Sequence, residues 1–156
     1  MSNTGIRGFY KLTETIKKEL LEDINVNTVT TGDITDVNLN KQDIFPLSHI
    51  IINNVTVNEQ TLDFNISILA CDIVNQSKLE TEDIFTGNND VQNILNTQLA
   101  VLNKLTQRLR MGQLHTDMYQ LSGSPSLSPF YDRFENQLAG WTATMDVQIY
   151  NDIYIC

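Results

Sequence analysis

The chain holds little cysteine, proline, glycine and tryptophan, and little positive charge. Two cysteines in 156 residues, Cys71 and Cys156, supply neither a disulfide framework nor a four-cysteine zinc site, so reduced thiols are expected. Seven glycines and three prolines exclude a collagenous composition. Ten lysines and arginines stand against 19 aspartates and glutamates, a net charge of −9 that argues against a general phosphate-binding surface. No run approaches the roughly 18 apolar residues that span a bilayer. Met1 to Tyr10 carry no apolar segment after their charges, so a soluble chain without secretion signal or membrane contact is expected. HExxH spacing, Cys/His clusters, a glycine elbow around a serine, GxGxxG and GxxxxGK[ST] are all missing. Without them catalysis has no visible seat, and neither a cofactor nor a metal ion is expected.

What is present suits one α+β domain spanning 1–156. Apolar residues make up 41% and charged residues 19%, values of an ordinary globular chain. Over 8–23, Phe9, Leu12, Ile16 and Leu20 recur near helical spacing and predict an amphipathic helix. The period fails over 24–45, where Asn, Thr and Asp dominate around Gly32 and Asp33; an extended loop is expected, with NVNTVTT able to form a short strand. A β-hairpin is predicted over 46–74, because LSHIIINNVTVN and TLDFNISILACDIV flank a polar turn at Asn58 to Gln60. Over 90–111, Val91, Ile94, Leu95, Leu99, Leu102, Leu105 and Leu109 form one helical stripe. Asp90 opens that helix and Lys104, Arg108 and Arg110 close it, as the helix dipole prefers. Strands are expected over 117–155, interrupted by a Ser/Pro turn from Ser122 to Pro129 and ending in WTATMDVQIYND, where Trp141, Ala143, Met145, Val147 and Ile149 alternate with polar residues. The predicted architecture is an antiparallel sheet covered on one face by helices, with Phe64, Leu102 and Trp141 in the shared core.

Several candidate sites have simpler explanations. His49 and Cys71 could meet across the hairpin as base and nucleophile, but a core histidine and a small buried thiol are far commoner. Asp36, Asn38 and Asn40 take positions one, three and five of a calcium loop, yet Lys41 stands where that loop needs glycine and Leu47 where it needs glutamate. Three glycosylation sequons, at Asn54, Asn65 and Asn75, fit chance in an asparagine-rich chain. The leucine stripe also approximates heptads, but a sheet needs a cover and three heptads are near the minimum for a coiled coil.

Charge is distributed unevenly. From Glu22 to Asp72 eight acids face one base, Lys41. That acidity serves either solubility or a surface that must repel phosphate.

The order of elements resembles the tail terminator and tail completion proteins of tailed bacteriophages. The succession is GFYKLTETIKKELLED, a polar extended loop, the hairpin, DVQNILNTQLAVLNKLTQRL and the closing DRFENQLAGWTATMDVQIYND. Gly140 and Trp141 opening a last strand that ends near Cys156 look like such proteins from phages of Bacteroides-type hosts, crAss-like phages included. The resemblance implies a virion structural protein, assembled in the host cytoplasm, that forms a homo-oligomeric ring in the tail or head-tail connector. It implies no catalytic residues. Its partners would be copies of itself, six or twelve in the ring, and neighbouring tail, collar or portal-complex proteins. DNA would pass through without specific binding. The loop from Val26 to Phe45 would then be ordered by a neighbour, and Asp33, Asp36, Asp43, Glu59 and Asp63 would face the lumen or an interface. Two rivals read the same residues as a small acidic cytosolic protein-binding module, or as a small enzyme using His49 or His115.

Overall fold

Two long alternating segments, Leu62 to Ala70 and Trp141 to Ile149, pair at the centre of the fold. The computed structural model describes residues 4–33, 44–74, 91–110, 119–133 and 138–150. Its elements are α1 (Thr4–Leu21), β1 (Thr28–Thr31), β2 (Leu47–Val57), β3 (Thr61–Ile73), α2 (Val91–Arg110), β4 (Tyr119–Arg133) and β5 (Leu138–Tyr150). The strands form one open five-stranded sheet in the order β1-β2-β3-β5-β4. All pairs are antiparallel except β1 with β2. The fold is α+β, with both helices on one face of the sheet.

The main core lies between that face and the helices. Leu12, Ile16 and Leu20, four residues apart on α1, are buried against Phe64, Ile66, Ile68, Met145 and Val147. From α2 come Val101, Leu102, Leu105 and Leu109. Phe64 and Leu102 are fully enclosed, and each such side chain contributes about 1.5–3 kcal/mol of burial. Trp141 is half-buried at the edge of this core and donates its indole N–H to the Leu95 carbonyl oxygen at 2.8 Å, tying β5 to α2. Arg108 bonds Glu19 and, at 3.3 Å, Glu22, so the last turn of α2 holds the last turn of α1.

The predicted stripes are narrower or rotated in places. Phe9 is exposed, one turn beyond the three residues that reach the sheet, and α1 begins at Thr4 rather than near Gly8. On α2, Leu99 lies at the solvent margin while Gln98, Val101 and Thr106 are buried, because the stripe meets the sheet slightly off the leucine row.

Two segments refine the sequence reading. Within the extended stretch predicted over 24–45, the short strand that NVNTVTT allowed does form: Thr28 to Thr31 are β1, in register with Leu47 to Ile50. An Asx turn, the Asn25 amide donating to Asp23 Oδ1 at 2.9 Å, carries the chain from α1 into it. The alternation in NVNTVTT marks the strand, whereas its parallel pairing with β2 has no local signal. Where a turn is predicted from Ser122 to Pro129, β4 runs through without a break. It is an edge strand, and an edge accepts proline, because the missing N–H can point to solvent. Register shifts at Ser122/Ser126 and Phe130/Arg133 absorb the extra residues, and Gly123 takes the φ of 70° that the first shift requires.

Gly140 marks the closest approach inside the sheet. A Cβ there would run into the Ala70 carbonyl oxygen and the Cys71 Cα, both backbone atoms of β3. Its partner on β4, Phe130, belongs with Phe45, Leu47, Leu69, Cys71 and Leu138 to a second, smaller core on the face away from the helices.

Candidate functional site

The face away from the helices is divided. One end carries the second core. The other carries polar side chains contributed alternately by β2, β3 and β5. A bulge between Ile52 and Asn54 sets Asn53 and Asn54 against the single residue Asn65. From there the Asn53 amide donates to Asn65 Oδ1 at 2.9 Å and to Ser67 Oγ at 2.8 Å. Asn65 donates in turn to Asp146 Oδ1 at 2.8 Å, and the Ser67 and Thr144 hydroxyls lie 3.4 Å apart. Closer to the hairpin turn, Asn58 donates to Asp63 Oδ2 at 2.8 Å. The other Asp63 oxygen, Oδ1, is buried without a partner among the described residues.

This polar ladder therefore spends much of its hydrogen-bonding capacity internally. What it shows to solvent is amide, hydroxyl and carboxylate. β1, β2, β3 and β5 contain no lysine or arginine, and β4 contains only Arg133, at its end. The basic residues of the helical layer, Arg7, Lys11, Lys17, Lys18, Lys104, Arg108 and Arg110, belong to α1 and α2 on the opposite side of the sheet.

Of the predicted acidic residues, Asp63 lies on this face and Glu59 is exposed in the turn that ends the hairpin. Asp33 is exposed just beyond β1, past Gly32, whose amide bonds the Ile50 carbonyl near the middle of β2. The structure does not bring Asp33 together with Glu59 and Asp63. Asp36 and Asp43 lie outside the described residues, as do most of the calcium-loop candidate, His115 and Cys156. Asp146 joins Asp63 instead. The alternation of β5 already marks it as a solvent-side residue, but its distance in sequence from the acidic segment hides the link.

His49 and Cys71 do not form a catalytic pair. His49 is fully buried; its Nε2–H donates to the Gly32 carbonyl at 2.8 Å, and its Nδ1 accepts from the Thr30 hydroxyl at 2.6 Å. Both ring nitrogens are thus occupied in fastening β1 to β2 in the neutral form. Burial lowers its pKa below the usual histidine value, against the opposing pull of the Gly32 carbonyl and the Asp33 charge. Cys71 points its thiol at the Leu47 carbonyl, 3.7 Å away, and burial, helped by Asp72, raises its pKa to about 12. A thiol so held is not a nucleophile at neutral pH. Among the described residues no group of three or more His, Cys, Asp or Glu could hold a metal ion. No described helix is long and apolar enough to cross a membrane.

No family model matches the chain, and no curated protein is significantly similar to it.

Proposed function

We propose that the chain is the repeating subunit of a ring around the DNA path of a tailed-phage virion, in the tail or the head-tail joint, similar in role to a tail terminator. The observation that carries this reading is the helix-free polar face: it bears Asp63 and Asp146, has Glu59 at its tip, and its three long inner strands have no lysine or arginine. Facing a channel, such a wall repels phosphate and offers no counterion-release affinity, so DNA slides past it. A basic wall would hold the DNA at every turn. The ladder's internal hydrogen bonds support the same role, because satisfied amides and hydroxyls compete weakly for base edges or phosphate oxygens.

The edges bear on how copies would meet. Pro125 and Pro129 remove two donors from the outer edge of β4, so that edge is a poor template for strand pairing. β1 covers β2 only from Leu47 to Ile50, leaving the distal half of β2 without a strand partner on that side among the described residues. Contact between copies therefore falls to the hairpin side of the sheet.

Light scattering from about 1 μM to 1 mM tests the reading, a range that covers weak to moderate self-association. The expected result is concentration-dependent growth to a closed assembly of six or twelve copies. A chain that stays monomeric throughout would favour the acidic binding module instead.

A further inference from the structure

β1 is the shortest strand and lies at an edge of the sheet, paired with β2 alone. None of its four residues is fully buried, so hydrogen bonds hold it more than packing does. The Thr28 amide bonds the Pro46 carbonyl at 3.3 Å, the Gly32 amide bonds the Ile50 carbonyl at 3.2 Å, and the Thr31 hydroxyl donates to the same Ile50 oxygen at 3.0 Å. The remaining fastening is His49, whose ring bonds its register partner Thr30 and also Gly32. One side chain of β2 thus spans the second half of β1.

That side chain is fully buried. His49 shares a face with Leu47 and Ile51, the face away from the helices, and stands opposite Leu69 of β3. Its diagonal neighbours on β3, Ser67 and Cys71, are a hydroxyl and an uncharged thiol. α1 and α2, with their lysines, arginines and glutamates, cover the other face. Among the described residues the charge that acts on the ring is Asp33, from the chain just past β1, and Asp33 is exposed.

The site fits the neutral ring atom by atom. The Gly32 carbonyl can only accept, so Nε2 carries the proton and Nδ1 is left to accept from the Thr30 hydroxyl. A second proton, on Nδ1, forces that hydroxyl to turn from donor to acceptor. It also sets a full charge among Leu47, Ile51 and Leu69 with one exposed carboxylate to offset it. Lifting β1 away removes this cost, because the ring then meets water.

We infer that His49 makes β1 a pH-dependent latch: protonation of the ring is coupled to release of Thr28–Thr31 from β2 while the rest of the sheet stays paired. Release uncovers the outer edge of β2 from Leu47 to Val57, a stretch with no charged residue and no proline to blunt it. The latch is a property of the single chain and does not depend on the ring reading. Because the proton binds the open form more tightly, opening grows as pH falls below the open-state value near 6.5, by up to about tenfold per pH unit until the lower closed-state value is reached.

Amide hydrogen exchange of the full chain, followed by NMR and expressed as protection factors, tests this at Thr28 and Gly32 of the latch and at Ile66 and Met145, register partners at the sheet centre. At pH 7.5 the latch amides should be protected about tenfold less than the central pair or weaker still, through an opening that low urea hardly affects because little surface is exposed. Between pH 7.5 and 5.5 their protection should fall several-fold, with about tenfold as the limit for a single proton. Equal protection and equal urea dependence of all four amides would show that β1 leaves only when the whole chain unfolds, and would overturn the latch. Latch protection that is lower but unchanged between the two pH values would overturn it as well. His49→Gln keeps a donor for the Gly32 carbonyl and does not titrate, so its latch should open with no pH dependence; a profile as steep as wild type would assign the proton to another group and refute the role of His49. The wild-type exchange alone decides the matter should the variant not fold.

Discussion

The acidity of the helix-free face has a consequence that DNA binding by the isolated chain measures directly. Replacing Glu59, Asp63 and Asp146 with lysine would change the net charge from −9 to −3. Asn65 pairs with Asp146, and Asp63 with Gln148, so the two aspartates are diagonal neighbours on β3 and β5, about 7–8 Å apart. Glu59 precedes Asp63 by four residues, at most about 14 Å of chain. Three ammonium groups within that span reach successive phosphates of one strand, which recur about every 3.4 Å along the duplex axis. Each phosphate neutralised adds about −0.9 to the slope of log affinity against log salt, so the variant should show a slope near −2.7 and lose about 40-fold in affinity between 50 and 200 mM salt. Fluorescence anisotropy of a labelled 20-base-pair duplex reads this directly. The wild-type chain should not bind at 50 mM. Melting should fall, because Asp63 and Asp146 accept the Asn58 and Asn65 side-chain amides, and circular dichroism below the new midpoint shows that the variant is folded in the binding assay. A folded variant that binds no better than wild type would show that these carboxylates share no surface on which DNA can lie. Wild-type binding with its own steep salt slope would refute the repellent wall itself.

Further perturbations address the fold that positions this face. Gly140→Ala should abolish cooperative urea unfolding or cost well over about 3 kcal/mol, because the added methyl meets the β3 backbone rather than a yielding side chain; a near-neutral variant would show that β3 and β5 stand further apart. Phe64→Ala and Leu102→Ala should each destabilise by about 2–5 kcal/mol in urea titrations, and small effects would contradict a sheet buried under the helices. Trp141→Phe should cost about 1 kcal/mol, the worth of its bond to the Leu95 carbonyl, read by circular dichroism because the fluorophore is lost. For His49 the folded pKa is lowered, so the unfolded chain binds the proton first. The contribution of His49 is complete above its unfolded value near 6.5 and shrinks as pH falls toward the lower folded value. Urea midpoints of wild type and His49→Gln between pH 7.5 and 5.5 should therefore converge, and parallel curves would refute the burial of a neutral ring.

How much was legible in advance depends on where each signal resides. α1, α2, the hairpin and β5 follow from periodicity, because a repeat of 3.6 or 2 over a dozen residues marks which side of the element is buried. The pairing of β1 was not legible. Its four residues, Thr28 to Thr31, lie in a stretch rich in Asn and Thr and are held by a parallel partner and by His49, contacts of long sequence separation. β4 misled in the opposite sense, since Gly123, Pro125 and Pro129 signal a turn locally while an edge position lets the strand continue through register shifts. The functional face was half legible. Alternation places Asp63 and Asp146 on the solvent side, but only the register brings them together. The bulge that adds Asn53 to the ladder leaves no mark in the sequence.

The same edge chemistry decides how such a subunit can repeat. A five-stranded open sheet offers two edges, and the simplest ring would join them into one continuous sheet. Here one edge lacks donors at Pro125 and Pro129, and the other is stepped, with the short β1 beside a β2 that bulges before its distal half. Both devices discourage unlimited strand pairing, the route by which an open sheet aggregates. A chain that assembles as proposed would need that protection before assembly, and its contacts would then come from side chains rather than from an exposed ladder.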